Sequence, residues 1–419
     1  MANDKLRLGV KIIQVLFPFA FEIILQRLRA LAHSWTYRAV PDPKDIVVIG
    51  GSFTGIHVAR RLTESIPTGY RVTMIERKSH FNYLFNFPRY SVLAGHEEYA
   101  FIPYDTLSNA APEGSFRHMK DTVTSIKDGQ VYLQSGETVD FAYLVIATGS
   151  KQSLPSKGVA TEKEDGCREL QEVQNDIKAA TRIAVVGGGA VGVEVATDIK
   201  YFYPEKEVTI VHSRDRLLHR FGPRLHEYVL SQMQEMRIHV RLKERPLIMR
   251  EENTLLFSNG EREEYDLVLP CAGQTPNSAI IQDLAPSAIS QQTREIRVKP
   301  TLQIMADSKE EDWSSSNTFA IGDVAATGGA KMARAAVFQA EVIVQNILAM
   351  ISGKEASSVY KPRSDIEGSI NLSLGKDHAV LYTEDDDGSD YLIPVKSGQE
   401  DLEIKNGWRM LGGKFPGNK

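Results

Sequence analysis

The stretch that decides the fold is Ile183-Ala-Val-Val-Gly-Gly-Gly-Ala-Val-Gly-Val-Glu194. An apolar, β-branched run leads into the glycines and an alanine-rich amphipathic pattern follows them, which predicts a buried strand, a tight turn and a helix. Gly187 permits the turn, Gly189 lets the backbone approach a diphosphate, and Gly192 lets helix and strand pack closely. The diphosphate is expected at the helix N-terminus, where unpaired amides and the helix dipole favour an anion.

A glycine pattern of this kind is weak evidence alone, because an ordinary glycine turn can have the same letters. Here the next apolar run, Glu207–His212, ends 20 residues after Gly192, where a side chain that reads the adenosine ribose is expected. A second copy lies upstream, where Asp45-Ile-Val-Val-Ile-Gly-Gly-Ser-Phe-Thr-Gly55 leads into a helical pattern at 56–66 and a strand at 71–76. Two such units in one chain predict two bound nucleotides.

Composition narrows the class of protein. The 419 residues suffice for about two or three domains, and 42% hydrophobic with 25% charged residues is typical of a globular protein. A net charge of -5 and the lack of a basic stripe argue against a nucleic-acid partner. Cys167 and Cys271 form neither a CxxC motif nor a metal-ligand spacing, so we expect no metal site and no redox-active dithiol. Two cysteines also suit a reducing, cytosol-facing compartment.

An apolar segment at residues 6–31 carries its polar side chains on one helical stripe. Its longest uncharged run, Ile12–Phe21, is ten residues, well short of the ~20 needed to span a bilayer. We therefore expect an amphipathic helix on a membrane surface. The alternatives are a signal peptide, since Ala30–Ala32 resembles a cleavage site, a mitochondrial presequence, and a helix packed on the protein itself. The stripe consists of Lys11, Gln14, Glu22, Gln26 and Arg29.

The remaining patterns suggest that one unit is inserted in the other. Residues 141–149 and 266–273 both read as a buried strand ending in a glycine turn, and 317–323 is a short strand ending in Gly-Asp before a helical pattern at 332–351. Short alternating runs fill the last sixty residues. We expect an α/β fold with two Rossmann-like dinucleotide-binding domains, the second inserted in the first, and a small β-rich C-terminal domain. The boundaries are 1–44 for the N-terminal helix and linker, 45–160 with 295–355 for the first nucleotide domain, 161–294 for the second, and 356–419 for the C-terminal domain.

The order of motifs GGxxxG, strand-end Glu, ATG, GGGxxGxE, CAG and IGD over residues 45–350 resembles the two-dinucleotide-binding flavoprotein reductases. Residues 203–213, Lys331-Met-Ala333, and Ser373-Leu-Gly375 with Trp408 look most like the apoptosis-inducing-factor-like, ferroptosis-suppressor subgroup, to which type II NADH dehydrogenases are related. The resemblance implies FAD in the first nucleotide domain, NAD(P)H in the second, and a quinone as electron acceptor.

The same resemblance assigns cofactor-binding roles to residues of both units. Around FAD, it places Gly50, Gly51 and Gly55 at the diphosphate, Glu76 at the adenosine ribose, Thr148 and Gly149 near the cofactor, and Asp323 at the ribityl chain. Ser52, in the same loop as the three glycines, is also a candidate cofactor-binding residue. Around NAD(P)H, it places Gly187, Gly189 and Gly192 at the diphosphate and Glu194 near the nicotinamide ribose or amide. Lys331 is a candidate for a positive charge near the flavin pyrimidine, and an ordinary surface lysine is the alternative.

Two departures from the family pattern matter. Ser52 and Thr54 stand where the family usually has glycine, which narrows the approach to the FAD diphosphate. His212 stands where an NAD-selective site has an acid, and Arg214 follows it with a fixed positive charge. We therefore expect NADPH to be used at least comparably to NADH. The alternative is that Arg214 points into solvent and discrimination is weak.

Together these features predict an FAD-dependent NAD(P)H oxidoreductase that passes a hydride from NAD(P)H to FAD and electrons on to a quinone-type acceptor. The cofactors carry this chemistry, so no obligatory acid or base is assigned. The alternatives are a flavin-dependent tailoring oxidoreductase of a small-molecule biosynthetic pathway and an apoptosis-related signalling flavoprotein. The expected location is the cytosol-facing surface of the mitochondrial outer membrane, endoplasmic reticulum or lipid droplet rather than the mitochondrial interior. The oligomeric state is left open.

Overall fold

The computed structural model describes residues 24–307 and 315–417. These ranges contain ten α-helices and 24 strands. The helices are α1 (24–36), α2 (Phe53–Thr63), α3 (Phe87–Tyr90), α4 (Asp105–Ala110), α5 (Lys163–Ala179), α6 (Ala190–Phe202), α7 (Pro223–Glu235), α8 (Ala333–Ile351), α9 (Ser364–Glu367) and α10 (Ile404–Met410). The strands up to residue 151 are β1 (Lys44–Ile49), β2 (Tyr70–Glu76), β3 (His80–Asn82), β4 (Phe101–Pro103), β5 (Phe116–Lys120), β6 (Val123–Lys127), β7 (Gln130–Leu133), β8 (Thr138–Asp140), β9 (Tyr143–Ile146) and β10 (Ser150–Lys151). Those that follow are β11 (Arg182–Val186), β12 (Glu207–His212), β13 (His239–Leu242), β14 (Leu247–Met249), β15 (Thr254–Leu256), β16 (Arg262–Glu264), β17 (Leu267–Pro270), β18 (Thr275–Pro276), β19 (Ile296–Arg297), β20 (Thr318–Ala320), β21 (Ala325–Ala326), β22 (Ile370–Leu374), β23 (His378–Glu384) and β24 (Asp390–Lys396).

The first sheet is parallel and has the strand order β20-β9-β1-β2-β5. Both of its faces are covered, which explains why β1 is apolar throughout its second half rather than alternating. Val48 faces a core shared with α2 and α8, whereas Val47 faces a second core closed by the small antiparallel sheet β6-β7-β8. The carboxyl ends of these strands, where the first glycine loop follows β1, therefore form one edge of a rigid platform.

The second sheet is also parallel, with the order β13-β12-β11-β17. Helix α6 packs on one face through Val193 and Ala196, and the antiparallel strands β14-β15-β16 cover the other through Leu255. Two parallel sheets, each opening with a strand, a glycine loop and a helix, confirm the predicted α/β class with two Rossmann-like units. A short antiparallel pair, β10 with β18, connects the chain segments that leave the two sheets.

The C-terminal region forms the antiparallel sheet β22-β23-β24 and helix α10. Leu372 and Val380 of this sheet belong to the core around α6 of the second unit. Ile404 and Trp408 of α10 belong instead to the core of the first unit. The C-terminal region thus packs against both nucleotide units.

The structure can be compared with two of the helices predicted from the sequence. The helix predicted at 56–66 begins earlier, at Phe53, because the glycine loop passes directly into the first turn. Of the predicted membrane-surface helix, residues 6–23 lie outside the described residues, and the part from 24 to 36 is helical as α1.

Among the described helices, α8 alone is long and apolar enough to cross a membrane, but its buried residues pack in the first core, as expected of a core helix.

Candidate functional site

A cavity of about 1230 Å³ lies between the two nucleotide units and the C-terminal region. Eight of the residues predicted from the sequence line it, namely Gly50, Ser52, Glu76, Thr148, Gly149, Glu194, Asp323 and Lys331. The other seven lie outside its lining, and these are Gly51, Gly55, Gly187, Gly189, Gly192, His212 and Arg214. The cavity therefore brings together most of the predicted FAD residues with Glu194 of the second unit, while the second glycine loop reaches it through Ala190 and Val191 rather than through its glycines.

The first glycine loop has the geometry of a diphosphate cradle. Gly50 has φ of 102°, and a Cβ built on it would lie 2.5 Å from the carbonyl oxygen of Ala147. A Cβ on Gly55 would lie 1.7 Å from the carbonyl oxygen of Gly50, so the loop and α2 approach too closely for any other residue. The hydroxyl of Thr54, one of the departures from the family pattern, points at Gly322, where an added Cβ would lie 2.8 Å from it.

Glu76 is held against this loop. Its carboxylate accepts a hydrogen bond from the backbone N–H of Gly51 at 2.6 Å and another from that of Lys78 at 2.9 Å. The Tyr104 hydroxyl donates to the carbonyl oxygen of Gly51 at 2.9 Å and fixes the loop from the other side. A fixed acid therefore lies at the end of β2 beside the loop, and its role toward the ribose hydroxyls stays a prediction.

Two lysines that the sequence argument missed line the same part of the cavity. The Nζ of Lys78 donates to the carbonyl oxygen of Gly158 at 3.0 Å, and the Nζ of Lys157 donates to that of Ser150 at 2.9 Å. Burial, with the nearby charges of Lys157 and Arg77, lowers the pKa of Lys78 to about 8. Burial likewise lowers the pKa of Lys157. An anionic group between these ammonium groups would relieve their repulsion, which is the environment that a diphosphate fits.

Asp323 sits in a short 3₁₀ turn, Gly322–Val324, after β20. Its Oδ2 accepts hydrogen bonds from the hydroxyl of Ser150 at 3.0 Å and from the side-chain amide of Gln274 at 2.8 Å. Lys331, also at the cavity wall, forms an ion pair with Glu295 at 2.8 Å and donates to the carbonyl oxygen of Ala325. Lys331 is therefore a partnered lysine in a fixed position, and its proposed effect on the flavin pyrimidine stays a prediction.

The second glycine loop repeats the geometry of the first. A Cβ on Gly187, whose φ is 135°, would lie 2.6 Å from the carbonyl oxygen of Cys271, and one on Gly192 would lie 1.8 Å from that of Gly187. A Cβ on Gly189 would meet nothing within 4 Å. Gly187 and Gly192 are thus required by the fold, whereas Gly189 keeps open space at the N-terminus of α6, as expected for a diphosphate site.

His212 supports this loop from the end of β12. Its Nδ1 accepts a hydrogen bond from the backbone N–H of Gly188 at 3.0 Å, and its ring centroid lies 5.5 Å from that of His219. Burial, followed by the charges of His219 and Arg214, lowers the pKa of His212. Arg214 is exposed, and within the described ranges its guanidinium has no ion-pair partner. Arg214 and Arg220 also lower the pKa of His219, after burial, so this edge of the second unit is positive.

Glu194 is half-buried at the cavity wall, where α6 meets β22. Its Oε1 accepts hydrogen bonds from the backbone N–H of Ser373 at 3.3 Å and from the Ser373 hydroxyl at 3.2 Å. Burial, with the nearby charge of Asp198, raises the pKa of Glu194 to about 8. At neutral pH the carboxyl group is therefore mostly protonated and can donate as well as accept a hydrogen bond.

One face of α2 is a further part of the site that the sequence argument did not assign. Phe53, His57 and Arg60 all line the cavity. They lie at positions i, i+4 and i+7 of one helix, a spacing that could have identified them from the sequence. Lys78, two residues after Glu76, could also have been suspected, whereas no local signal marks Lys157.

Comparisons with known proteins agree with this geometry. Residues 44–340 match the pyridine nucleotide-disulphide oxidoreductase family. The chain is 33% identical over 396 residues to Fe-regulated protein 8 of Mycosarcoma maydis, covering 88% of this chain and 95% of that one. It is 28% identical over 395 residues to ferroptosis suppressor protein 1 of Xenopus tropicalis, covering 90% and 98%. The sulfide:quinone oxidoreductase of Aquifex aeolicus has the same fold, with a TM-score of 0.71, 18% identity, and coverage of 89% of this chain and 93% of that chain.

These findings confirm the predicted cofactors and class, because the two glycine cradles occur in a chain that matches this family over most of its length. The protein is an FAD-dependent oxidoreductase that uses NAD(P)H. It belongs to the pyridine nucleotide-disulphide oxidoreductase family.

Proposed function

We propose that the protein catalyses the reaction NAD(P)H + H⁺ + quinone → NAD(P)⁺ + quinol. The observation that carries this proposal is the chemistry of one wall of the cavity. Its lining includes Phe53, Tyr83, Phe85 and Met410, of which Phe85 and Met410 are exposed, and these side chains offer an aromatic and apolar surface suited to a quinone ring. The resemblance to the ferroptosis-suppressor subgroup supports the same acceptor class.

The cysteines argue against disulphide chemistry, the other activity that the family name suggests. Cys167 and Cys271, the two cysteines of the chain, are absent from the cavity lining. Burial raises the pKa of Cys167 to about 11 and that of Cys271 to about 12, so both stay protonated and poorly nucleophilic. Electrons therefore pass to a bound small molecule rather than to a dithiol of this chain.

The chain's contribution is to bind and orient the two nucleotides and the acceptor. When bound, FAD supplies the redox chemistry, accepting a hydride from the nicotinamide and delivering two electrons to the acceptor. We assign the FAD diphosphate to Gly50, Gly51, Ser52 and Gly55, with Lys78 and Lys157 neutralising its charge. Glu76 then binds the ribose hydroxyls, Asp323 the ribityl chain, and the backbone at Thr148 and Gly149 closes the site.

For the nicotinamide nucleotide, we assign the diphosphate to the open space at Gly189, between the two structurally required glycines, Gly187 and Gly192. Glu194 lines the cavity on the side of the second unit and is assigned to the nicotinamide ribose or amide. Its protonated state lets it donate to a carbonyl oxygen. Arg214, beside His212 at the end of β12, is assigned to the adenosine end of the nucleotide.

We also propose that the enzyme works on a cytosol-facing membrane surface, reached through residues 6–31. The described part of this segment supports the proposal because α1 exposes Ile24, Leu28, Leu31 and Trp35, which recur every three or four residues along one face. The opposite side of the helix end rests on the protein, where the imidazole Nε2 of His33 lies 2.6 Å from the carbonyl oxygen of Ile66. Such a helix can lie flat on a bilayer while it stays attached to the first nucleotide unit.

The sheets also support the domain division as a proposal. Residues 45–160 and 295–355 would form the FAD-binding domain, because β20 returns to the first sheet beside β9. Residues 161–294 would form the NAD(P)H-binding domain, which contains the second sheet, and 356–419 the C-terminal domain.

One experiment tests the proposed function. The purified protein should release FAD rather than FMN on denaturation. Glu76 and the first loop fit an adenosine ribose and a diphosphate, whereas FMN has no adenosine and only one phosphate. With NADPH or NADH it should reduce ubiquinone-1 much faster than oxygen. If the protein reduced ferricyanide but none of the quinones, the quinone assignment would be overturned. Recovery of FMN alone would overturn the assignment of the FAD site.

A further inference from the structure

His57 is a chemically unusual residue of the cavity wall, on the same face of α2 as Phe53. Its Nε2 is buried and has no hydrogen-bond partner among the described residues. Burial, with the charges of Arg60 and Arg61, lowers the pKa of His57 to about 4, so the imidazole is neutral at physiological pH. A neutral imidazole has one N–H donor and one acceptor nitrogen. The imidazole therefore has hydrogen-bonding capacity that a ligand with a matching polar atom can use.

The wall beside His57 is aromatic. The ring centroid of Phe53 lies 4.8 Å from that of Phe85 and 5.9 Å from that of Tyr83, and the last two are 5.4 Å apart. Phe85 is 53% exposed, so this wall opens to the outside. The Tyr83 ring packs against α10, where a Cβ on Gly407 would be 2.7 Å from the ring. The wall is thus fixed by packing and offers ring faces to a planar ligand.

Arg60 adds a positive charge on the same face of α2. Its guanidinium NH1 donates to the carbonyl oxygen of Met410 at 3.0 Å, which holds the side chain between α2 and the end of α10. Arg60 lines the cavity one turn beyond His57. An oxygen hydrogen-bonded to His57 would therefore lie in a positive potential, in a site partly shielded from water.

We propose that the His57 imidazole donates a hydrogen bond to one carbonyl oxygen of the quinone, whose ring packs against Phe53, Tyr83 and Phe85. This inference rests on the proposed function and assigns the residue that orients the acceptor. Arg60 then favours the negative charge that two-electron reduction places on that oxygen before it takes a proton from water. The stoichiometry is unchanged, with one NAD(P)H and one proton consumed for each quinol formed.

The test compares His57→Phe and His57→Ala with His239→Ala, which changes an exposed histidine of the second sheet outside the cavity lining. Both His57 variants should raise the KM for ubiquinone-1 about three- to tenfold, as expected for the loss of one hydrogen bond. The KM for NADPH and the rate of flavin reduction by NADPH without an acceptor should stay close to the wild-type values. His57→Gln, which keeps an N–H donor, should recover part of the loss.

A second readout does not depend on turnover. The dissociation constant of ubiquinone-1 for the oxidised protein without nucleotide, measured by calorimetry, should rise by the same factor in the two variants and not in His239→Ala. Unchanged quinone KM and dissociation constant in both His57 variants would overturn the inference while the proposed function stands. A wild-type protein that binds and reduces no quinone would overturn both.

Discussion

The Nε of Arg89 donates a hydrogen bond to the Oδ2 of Asp198 at 2.7 Å, and neither side chain is exposed to solvent. Arg89 also donates to the carbonyl oxygen of Gly375, so the pair ties α3, α6 and the C-terminal region together. The second oxygen of Asp198, Oδ1, has no partner in the described part of the chain. Asp198 lies one turn after Glu194 on α6, and burial together with the charge of Asp198 raises the pKa of Glu194.

This arrangement predicts how stability depends on pH. The pKa of Glu194 rises from 4.5 to about 8 on folding, so the folded protein keeps a proton that the unfolded chain has lost. The free energy of unfolding should therefore fall as pH increases from about 4.5 to about 8, by at most about 1.4 kcal/mol per unit. Glu194→Gln removes this titration, so the variant should gain stability relative to the wild type across that window and level off above it.

Urea unfolding of the FAD-loaded protein at pH 5, 6, 7 and 8 measures this difference. Glu172→Gln, on the exposed side of α5, is the matched control and should give a difference that does not vary with pH. If the curves for Glu194→Gln and the wild type run parallel from pH 5 to 8, the carboxyl group is ionised in the folded protein and the assignment fails.

The local parts of this site could be predicted from the sequence, and the contacts between distant segments could not. The close approaches within each glycine loop are encoded locally, because Gly55 and Gly192 lie against the carbonyl oxygens of Gly50 and Gly187 a few residues before them. Gly50 and Gly187 lie instead against the distant Ala147 and Cys271. The bond from Ser373 to Glu194 joins residues 179 apart, and no periodicity specifies it. The packing of the C-terminal region against both units could not be predicted either. Short alternating strands reveal that one face is buried but not which element covers it.

The second glycine loop offers a test that separates fold from binding. Gly189→Ala should leave the free energy of unfolding within about 1 kcal/mol, since Gly189 has φ of -82° and an added Cβ meets nothing within 4 Å. The methyl group would occupy the space assigned to the diphosphate, so the dissociation constants for NADH and NADPH should both rise at least tenfold. Gly192→Ala is the contrasting variant, because its Cβ would lie 1.8 Å from the carbonyl oxygen of Gly187 and the helix could not pack.

Thermal unfolding and nucleotide titration followed by flavin reduction measure the two properties. Wild-type nucleotide affinity in Gly189→Ala would mean that the diphosphate does not approach this backbone. Normal stability in Gly192→Ala would contradict the close contact between α6 and the loop.

The exposed face of α1 predicts reversible membrane binding. Ile24, Leu28, Leu31 and Trp35 are 56%, 58%, 51% and 70% exposed, and burying such side chains in a bilayer stabilises the bound state by ~1.5 to 3 kcal/mol each. The full-length protein should float with liposomes of neutral and anionic lipids. A protein that lacks residues 1–23 isolates the contribution of α1 to this binding. Changing the four residues to serine in the shortened protein should abolish its flotation, whereas its reduction of a soluble quinone should persist.

Substitution is a better test than removal of the whole segment before Pro41. Tyr37 is 5% exposed, and its hydroxyl donates to the carbonyl oxygens of Tyr70 at 2.9 Å and Gly114 at 3.1 Å. Deleting it would open the first core and confuse unfolding with loss of membrane binding. A full-length protein that stays in the lipid-free fraction would show that residues 6–31 have another role.

We expect the residues at the end of β12 to determine the choice between NADPH and NADH. An acid at the end of β12 would accept hydrogen bonds from the 2′-hydroxyl of NADH and repel the 2′-phosphate of NADPH. His212 instead directs its Nδ1 to the backbone of Gly188, and the positive side chains of Arg214, Arg216 and Arg220 surround His219 nearby. NADPH should therefore be used at least as well as NADH.

If the Arg214 guanidinium binds the phosphate, Arg214→Ala should raise the KM for NADPH about ten- to hundredfold, the equivalent of ~1.5 to 3 kcal/mol, and leave the KM for NADH nearly unchanged. Arg237→Ala, another arginine of the second unit, serves as the control. Equal effects of Arg214→Ala on both nucleotides would show that Arg214 points into solvent and that discrimination is weak, and rejection of NADPH by the wild type would refute the argument from His212 altogether.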